Sequence, residues 1–325
     1  EARKGKAGGR NPAGARQAAQ GDVIHNDDTT MKILGVKKKA SGEGAAKRKG
    51  VFTTGIVSET EGRKIALFFT GRKHAGENLG ELLAKRSEEL GPPIQMCDGL
   101  DRNVPKNFKV ILANCSAHGR RKFVELNSLF PEECRVVIEI FREVYHNDEL
   151  ASAMSKEDRL RFHKERSGPL MEKLQEWLKA QFAEKKVEPN SSLGKAISYM
   201  LKRWKPLTRF LEVPGAPLDN NICERILKLA IMNRKNAYFY RTEKGARVGD
   251  LFMSLIHTAR LSGENPFKYL TALQKNAARV RERPGDWMPW NYRATLASLE
   301  ASRVTTPRSA EPALGGEKVA RRSAG

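Results

Sequence analysis

Val23-Ile24-His25-Asn26-Asp27-Asp28-Thr29 is the stretch on which the reading of the fold turns. Its apolar start predicts a β-strand, and two adjacent carboxylates then interrupt it. An unpaired acid inside a strand is expensive to bury, so Asp27 either serves a charged ligand or belongs to an ordinary Asp-Asp turn. Working outward, β-type runs at 23–34, 51–58 and 64–70 predict three successive strands. Leu79, Leu82, Leu83, Arg86 and Leu90 then recur at helical spacing and stop at Gly91-Pro92. Two short apolar runs at 94–97 and 110–113 precede a helix predicted over 117–130. The order reads β-β-β-α-β-α, an α/β class.

Downstream, residues 131–211 predict only helices, at 132–145, 156–183 and 193–210, separated by polar or Pro-containing breaks. They form an all-α insertion between a first catalytic segment (21–130) and its completion (212–281). That completion holds a helix carrying Glu224, a basic hairpin over 234–247, and helices at 248–261 and 266–280. Gly263 caps the first of these, and Asn265-Pro266 opens the second. Residues 282–301 read as a C-terminal docking segment. Residues 1–20 and 302–325 read as disordered tails, because they are rich in small and basic residues without hydrophobic period. The basic stretch from Lys37 to Lys49 reads as a hairpin loop.

The formal charge is +21 over 325 residues and the pI is near 9.9, which calls for a polyanionic partner. Nucleic acid is the first candidate, with ribosomal or histone-like binding also compatible with charge alone. No apolar run reaches the roughly 20 residues that a spanning helix needs, so no membrane partner is expected. Cys97, Cys115, Cys134 and Cys223 lack CxxC spacing, which argues against a disulfide framework and a four-cysteine zinc site and suits a reducing cytoplasm. The start at Glu1 and the lack of a signal-peptide pattern suggest a fragment of a longer cytoplasmic protein.

Phosphoryl transfer needs charge stabilised on both the entering and the leaving oxygen, which two metal ions held by carboxylates can do. Asp27 in the first strand, Asp98 at the carboxyl end of the 94–97 run and Glu224 on a later helix are the candidate ligands. Each has a plainer explanation. Asp98-Gly99 is also an ordinary turn pair, and Glu224 also fits the last position of a capping box begun at Asn221.

The segments His25-Asn26-Asp27-Asp28-Thr29, Cys97-Asp98-Gly99-Leu100, Cys115-Ser116-Ala117-His118-Gly119-Arg120-Arg121-Lys122-Phe123 and 217–225 occur in this order. Asn233-Arg234-Lys235-Asn236, Ser254-Leu255-Ile256 and Met288-Pro289-Trp290-Asn291 continue the series. Together they make the chain resemble bacterial transposases of the insertion sequence 66 group over nearly all of residues 22–295. The resemblance implies an RNase H-like mixed sheet with flanking helices, and Asp27, Asp98 and Glu224 as a DDE triad on Mg²⁺ or Mn²⁺. It also implies metal-dependent cleavage at transposon ends with strand transfer into target DNA. A homo-oligomer on DNA, accessory transposition proteins and association with the nucleoid are implied too. Three neighbours depart from the group's pattern: Asp28 stands where Glu is usual, Leu100 near a Tyr-type residue, and Ser116 where Trp is usual. The group's upstream metal-binding finger and helix-turn-helix region has no counterpart here.

Further candidates are Arg120, Arg121 and Lys122 at a helix start, and a stretch from Arg225 to Arg247 with seven basic residues, one acid (Glu243) and Tyr238-Phe239-Tyr240. Arg225, Arg234, Lys235, Tyr238, Arg241, Lys244 and Arg247 suit phosphate contact with base stacking, or else a solvated basic face. Cys115 and His118 have the spacing of half a zinc site without a second half nearby, and a structural or phosphate-facing role is the plainer reading of the helix-start histidine beside Arg120 and Arg121. His25 either positions substrate or is a satisfied strand histidine. Two rival functions remain: an RNase H-like nuclease without strand transfer, and a non-catalytic DNA-binding remnant.

Overall fold

A computed structural model of the chain describes residues 12–36 and 50–304. It divides into two units, Glu1–Thr271 and Ala272–Gly325. In the first, α1 (Pro12–Ala18) precedes β1 (Val23–Met31), β2 (Val51–Thr60) and β3 (Arg63–Gly71). Then come α2 (Ala75–Leu83), β4 (Ile94–Cys97), β5 (Ile111–Asn114) and α3 (Ser116–Leu126). The five strands form one sheet in the order β3-β2-β1-β4-β5. β1, β2 and β3 are antiparallel neighbours, whereas β4 and β5 run parallel to β1. This is the expected RNase H-like mixed sheet, and both short apolar runs are strands within it.

The expected tail over residues 1–20 is corrected for its described part. Ala15, Ala18 and Ala19 of α1 and its end are buried, and Ser58 Oγ donates to Ala18 O at 2.6 Å. Small side chains are what let α1 lie this close to β2. The expected loop from Lys37 to Lys49 lies outside the described residues, as does the tail beyond Val304.

The insertion is helical as expected: α4 (Pro131–Leu150), α5 (Lys156–Arg166), α6 (Gly168–Ala183), α7 (Ser192–Lys202) and α8 (Trp204–Leu207). The single helix expected over 156–183 is broken before Gly168-Pro169, because proline lacks the N–H that would continue the ladder. Cys134, Val137, Phe141, Leu174, Leu178, Ile197 and Met200 make an apolar core of their own, into which Phe123 of α3 and Leu218 also pack. These shared residues anchor the insertion beside the sheet.

α9 (Asn221–Ala237) and α10 (Glu243–Leu261) close one face of β2 and β3. Val57, Ala66 and Phe68 pack there against Cys223, Ile226, Leu227 and Ala230. α10 also completes the open edge of β3. Asp250 Oδ2 accepts from Thr70 N at 2.7 Å, Ser254 Oγ from Phe68 N at 3.0 Å and Thr258 Oγ1 from Ala66 N at 3.1 Å. Four helical residues rise about 6 Å and two strand residues about 6.6 Å, so the two repeats match. An otherwise unpaired strand edge is thereby satisfied. The basic hairpin expected over 234–247 is corrected: it is the end of α9, a short corner and the start of α10. Within that stretch Tyr240 alone makes a β-type bridge, pairing in parallel with Ile33 just beyond the end of β1.

α11 (Pro266–Lys275) begins as expected, with Asn265 Oδ1 accepting from Lys268 N at 3.1 Å. In the second unit, α12 (Ala277–Glu282) leads through a 3-10 turn to α13 (Tyr292–Val304). That turn is tied internally, Asn291 Nδ2 donating to Gly285 O at 2.9 Å and Thr295 Oγ1 to Asp286 O at 2.7 Å. Among the described residues no helix is long and apolar enough to cross a membrane.

Candidate active site

Strand register puts the first two acids side by side. β1 pairs β4 with Val23 opposite Ile94 and His25 opposite Met96, an offset of 94 − 23 = 71. Asp27 and Asp98 differ by the same 98 − 27 = 71, so they are level on neighbouring parallel strands and share a face. Asp98 follows the last residue of β4, at the strand's carboxyl end where sites gather in α/β sheets. The turn explanation of Asp27-Asp28 is excluded, since both residues are paired within β1.

One buried amide holds the two carboxylates together. Asn103 Nδ2 donates to Asp98 Oδ1 at 2.7 Å and lies 3.3 Å from Asp27 Oδ1. The Asn103 backbone carbonyl accepts from Asn26 Nδ2 and from Gln95 Nε2, both at 2.7 Å, and Gln95 Nε2 also donates to Asn26 Oδ1 at 2.8 Å. Asn220 extends this layer, donating to Asn26 O at 3.2 Å and meeting His25 Nδ1 at 3.1 Å. His25 is therefore a satisfied strand histidine, and burial holds its pKa below the ordinary range. Asn103 and Gln95 had no motif signal in the sequence, and Asn220, within the 217–225 segment, was given no role there. Only Gln95 carried a hint, as a polar residue inside the short apolar run of β4.

Asp28, one step along β1, points to other partners. His74 Nδ1 lies 3.0 Å from its Oδ2, Ala75 N donates to the same oxygen at 3.3 Å, and Arg102 Nη2 lies 3.3 Å from Oδ1. It fastens the start of α2 to the sheet. Asp27, by contrast, is pushed up from an ordinary 3.8 to about 7, first by burial and then by the charge of Asp98, with Asp28 and Glu224 adding to it.

Glu224 arrives from the opposite side of β1. Gly55 on β2 is the register partner of Asp27, and a Cβ there would stand 3.0 Å from Leu227 Cγ and Cδ2. The missing side chain lets α9 descend onto the sheet at the level of Asp27, and Cys223 Sγ donates to Gly55 O at 3.4 Å. The capping-box explanation is corrected: the N-cap is Asn220, its carbonyl accepting from Glu224 N at 3.1 Å, so Glu224 sits one residue past the capping-box position. Its Oε1 lies 3.6 Å from His118 Nδ1 and its Oε2 3.7 Å from Arg121 Nη2. Glu224 Oε1 is buried without a hydrogen bond. Among the described residues, the tight group of possible ligand atoms, all within 4.8 Å, is Cys115, His118 and Glu224 rather than the three acids. Ligands shared by two ions about 3.5 to 4 Å apart are spread wider than ligands of one ion.

The insertion reaches this site. Tyr199 of α7 donates its hydroxyl to Asp98 O at 3.0 Å, and Arg203 Nε donates to Gly99 O at 3.2 Å. Gly99 has φ +80, and a Cβ there would meet Arg203 Nε at 2.9 Å. Lys122 Nζ stands 4.5 Å over the Tyr199 ring, while Arg120 is half-buried on α3.

The remaining basic candidates lie elsewhere. Arg225 is beside Lys64, His257 and Arg260. Arg234 donates from Nη1 to Thr29 Oγ1 at 3.1 Å and to Thr30 Oγ1 at 2.7 Å, which binds α9 to β1. Lys235, Tyr238, Arg241, Lys244 and Arg247 surround the corner between α9 and α10. From Glu224 to Lys235 is eleven residues of helix, or about 16 Å. Tyr238 occupies that corner at φ +60 and is 73% exposed. The chain is anchored next to it, Tyr240 N donating to Lys32 O at 2.9 Å and Asn233 Nδ2 to the Tyr240 hydroxyl at 2.8 Å.

A profile of the family described as "Transposase IS66 family" matches residues 13–248, spanning the whole sheet, the insertion and α9. The chain belongs to that family. Curated relatives include three proteins of Sinorhizobium fredii (strain NBRC 101917 / NGR234). "Uncharacterized protein y4jD" is 33% identical over 189 residues, 56% of this chain and 36% of that protein. "Uncharacterized protein y4hP" is 27% identical over 59% of this chain and 37% of its own length. For "Uncharacterized protein y4qI" the values are 28%, 58% and 35%. The chain thus matches little more than a third of the length of these relatives.

Proposed function

We propose that this IS66-family chain is the catalytic part of a DDE-type DNA transposase, which cleaves DNA at transposon ends and transfers the freed 3′ hydroxyl into target DNA. The observation that carries the reading is the acid crowding at the sheet's centre. Asp27 in β1 and Asp98 just past the end of β4 are level in register, and Asp27 is held near pKa 7 by burial and by the charges of Asp98, Asp28 and Glu224. Acids arranged at such a cost suit a site that meets cations.

The donor set fits a hard divalent cation, Mg²⁺ or Mn²⁺: carboxylate oxygens and concentrated negative charge. Asp27, Asp98 and Glu224 would hold it, and when bound it supplies charge stabilisation at the attacked phosphate and activates the attacking oxygen. Asn103 fixes the orientation of both aspartates, and Tyr199 with Arg203 steadies the Asp98-Gly99 turn through its carbonyls. Arg121 steadies Glu224 and offers a cation to an incoming phosphate. Lys235, Arg241, Lys244 and Arg247 would grip phosphates away from the scissile bond, with Tyr238 ready to stack on an unpaired base. Arg120, Lys122 and Arg225 would extend that grip toward the site. DNA is the proposed partner, with a homo-oligomer assembled on it and accessory transposition proteins joining it.

The test is cleavage and joining of transposon-end DNA into a supercoiled target with Mg²⁺. Asp27→Asn, Asp98→Asn and Glu224→Gln should each abolish both steps while DNA affinity persists. Near-normal turnover in any variant removes that residue from the triad. Nicking without joining would instead indicate an RNase H-like nuclease. DNA binding with no metal-dependent nicking would indicate a non-catalytic remnant.

A further inference from the structure

Glu224 faces two groups that the cleavage chemistry above does not use. Cys115, the N-cap of α3, is buried; His118 and Glu224 are each about a quarter exposed at the side chain. The Cys115 Sγ, a ring nitrogen of His118 and a carboxylate oxygen of Glu224 all lie within 4.8 Å of one another. Two helix starts build this group. Cys115 and His118 are three residues apart across the first turn of α3, and Glu224 comes from the beginning of α9. A backbone contact locks the two helix starts together, Asn220 N donating to Cys115 Sγ at 3.2 Å.

Two features call for a ligand there. His118 Nδ1 and Glu224 Oε1 are both buried atoms without a hydrogen bond, although they lie only 3.6 Å apart. A pair of orphaned polar atoms beside a thiol is a costly arrangement unless something sits between them. The donors also share a chemistry: one sulfur, one imidazole nitrogen and one carboxylate oxygen are a set that zinc accepts, with a fourth position left for water.

We propose that Cys115, His118 and Glu224 form a binding site for zinc, distinct from the Asp27 and Asp98 oxygens and sharing only Glu224 with them. A sulfur donor suits a thiophilic ion, which displaces the thiol proton on binding, and does not suit a hard cation such as Mg²⁺. The N-terminal end of α3 and the Asn220 N–H then both favour the thiolate. Arg121, 3.7 Å from Glu224 Oε2, opposes the bound cation and limits its affinity. Because Glu224 is common to both sites, zinc bound here engages Glu224 Oε1 on the α3 side.

The site does not depend on the transposase reading, and its test is spectroscopic. The full chain is titrated with Co²⁺ in excess Mg²⁺, and Zn²⁺ is then added in competition. One equivalent of Co²⁺ should produce a thiolate-to-cobalt charge-transfer band with tetrahedral ligand-field bands, and Zn²⁺ should bleach both. Cys115→Ser should remove the charge-transfer band. His118→Gln, at a partly exposed helix position where folding is not at stake, should weaken Co²⁺ binding at least about tenfold, as the loss of even a supporting group does at metal sites. Asp27→Asn should leave the spectrum unchanged, which separates this outcome from any result on cleavage. No charge-transfer band, or one that survives in Cys115→Ser or keeps full affinity in His118→Gln, overturns the proposal.

Discussion

Replacing Asp27 by asparagine should stabilise the protein at neutral and alkaline pH when no divalent cation is present, although it removes a proposed catalytic group. In the folded chain Asp27 holds its proton up to about pH 7, while its ordinary value is 3.8. Between those values the unfolded chain binds fewer protons at this position than the folded one. Stability therefore falls as pH rises through the window and levels off above about 7. About three units at ~1.36 kcal/mol each set an upper bound of about 4 kcal/mol. Local relaxation and water bring the working figure nearer ~2 kcal/mol, since proteins respond as media of effective dielectric near 20. The amide of the Asp27→Asn variant keeps the shape of the carboxyl group, and its oxygen can still accept from Asp28 N, which donates to Asp27 Oδ1 at 2.7 Å in the wild type. Thermal unfolding of wild type and Asp27→Asn in EDTA should show the variant gaining steadily from pH 4 to pH 7. At pH 8 it should lead by roughly 4–8 °C for a domain of this size. Mg²⁺ at pH 8 should then raise the wild-type midpoint more than that of the variant, because the cation relieves a charge that the variant lacks. A gap that stays flat from pH 4 to pH 8, or a variant less stable than wild type at pH 8, would refute the argument that crowding strains this carboxylate.

Gly55→Val should force α9 away from the sheet, costing about 1–3 kcal/mol as overpacked cores do, and should lower cleavage more than DNA affinity; chemical denaturation and filter binding separate the two. Thr258→Val leaves the Ala66 N–H on the sheet edge without its partner, 3.1 Å away in the wild type, and should cost about 1–3 kcal/mol in the same denaturation assay. Charge reversal at Lys235 and Arg241 should flatten the salt dependence of DNA binding by about one counterion per lost phosphate contact. Arg234, which bonds to Thr29 and Thr30, should lose stability as well on the same change; an unchanged slope for Lys235 and Arg241 would mark a solvated basic face.

Hydrophobic period alone was sufficient to place the strands, most helices and the helical insertion, because each depends on neighbours within a turn or a strand. It failed where small residues do the packing. Ala15, Ala18 and Ala19 carry little apolar signal, yet they are buried in α1 and at its end. It also failed at 234–247, where interleaved aromatic and basic residues imitate a strand's alternation but belong to two helix ends and a corner held by Tyr240.

By itself the sequence determined most of the elements and which family the chain resembles, and it nominated Asp27, Asp98 and Glu224, each with an equally plain local explanation. The tertiary structure removed the local explanation at Asp27 and at Glu224, while Asp98 keeps its turn, Leu100 N donating to its Oδ1 at 3.0 Å, and also stands beside Asp27. The 71-residue register brings Asp27 level with Asp98, Gly55 admits α9, and the N-cap at Asn220 leaves Glu224 out of a capping box. It alone disclosed the amide layer of Asn26, Gln95, Asn103 and Asn220, and the meeting of Cys115 and His118 with Glu224. The physical reason is the same in each case. A helix or strand is chosen by residues a few positions apart, whereas a carboxylate's protonation and partners are set by groups roughly 70 to 200 positions away, which only the folded chain brings within a few ångströms.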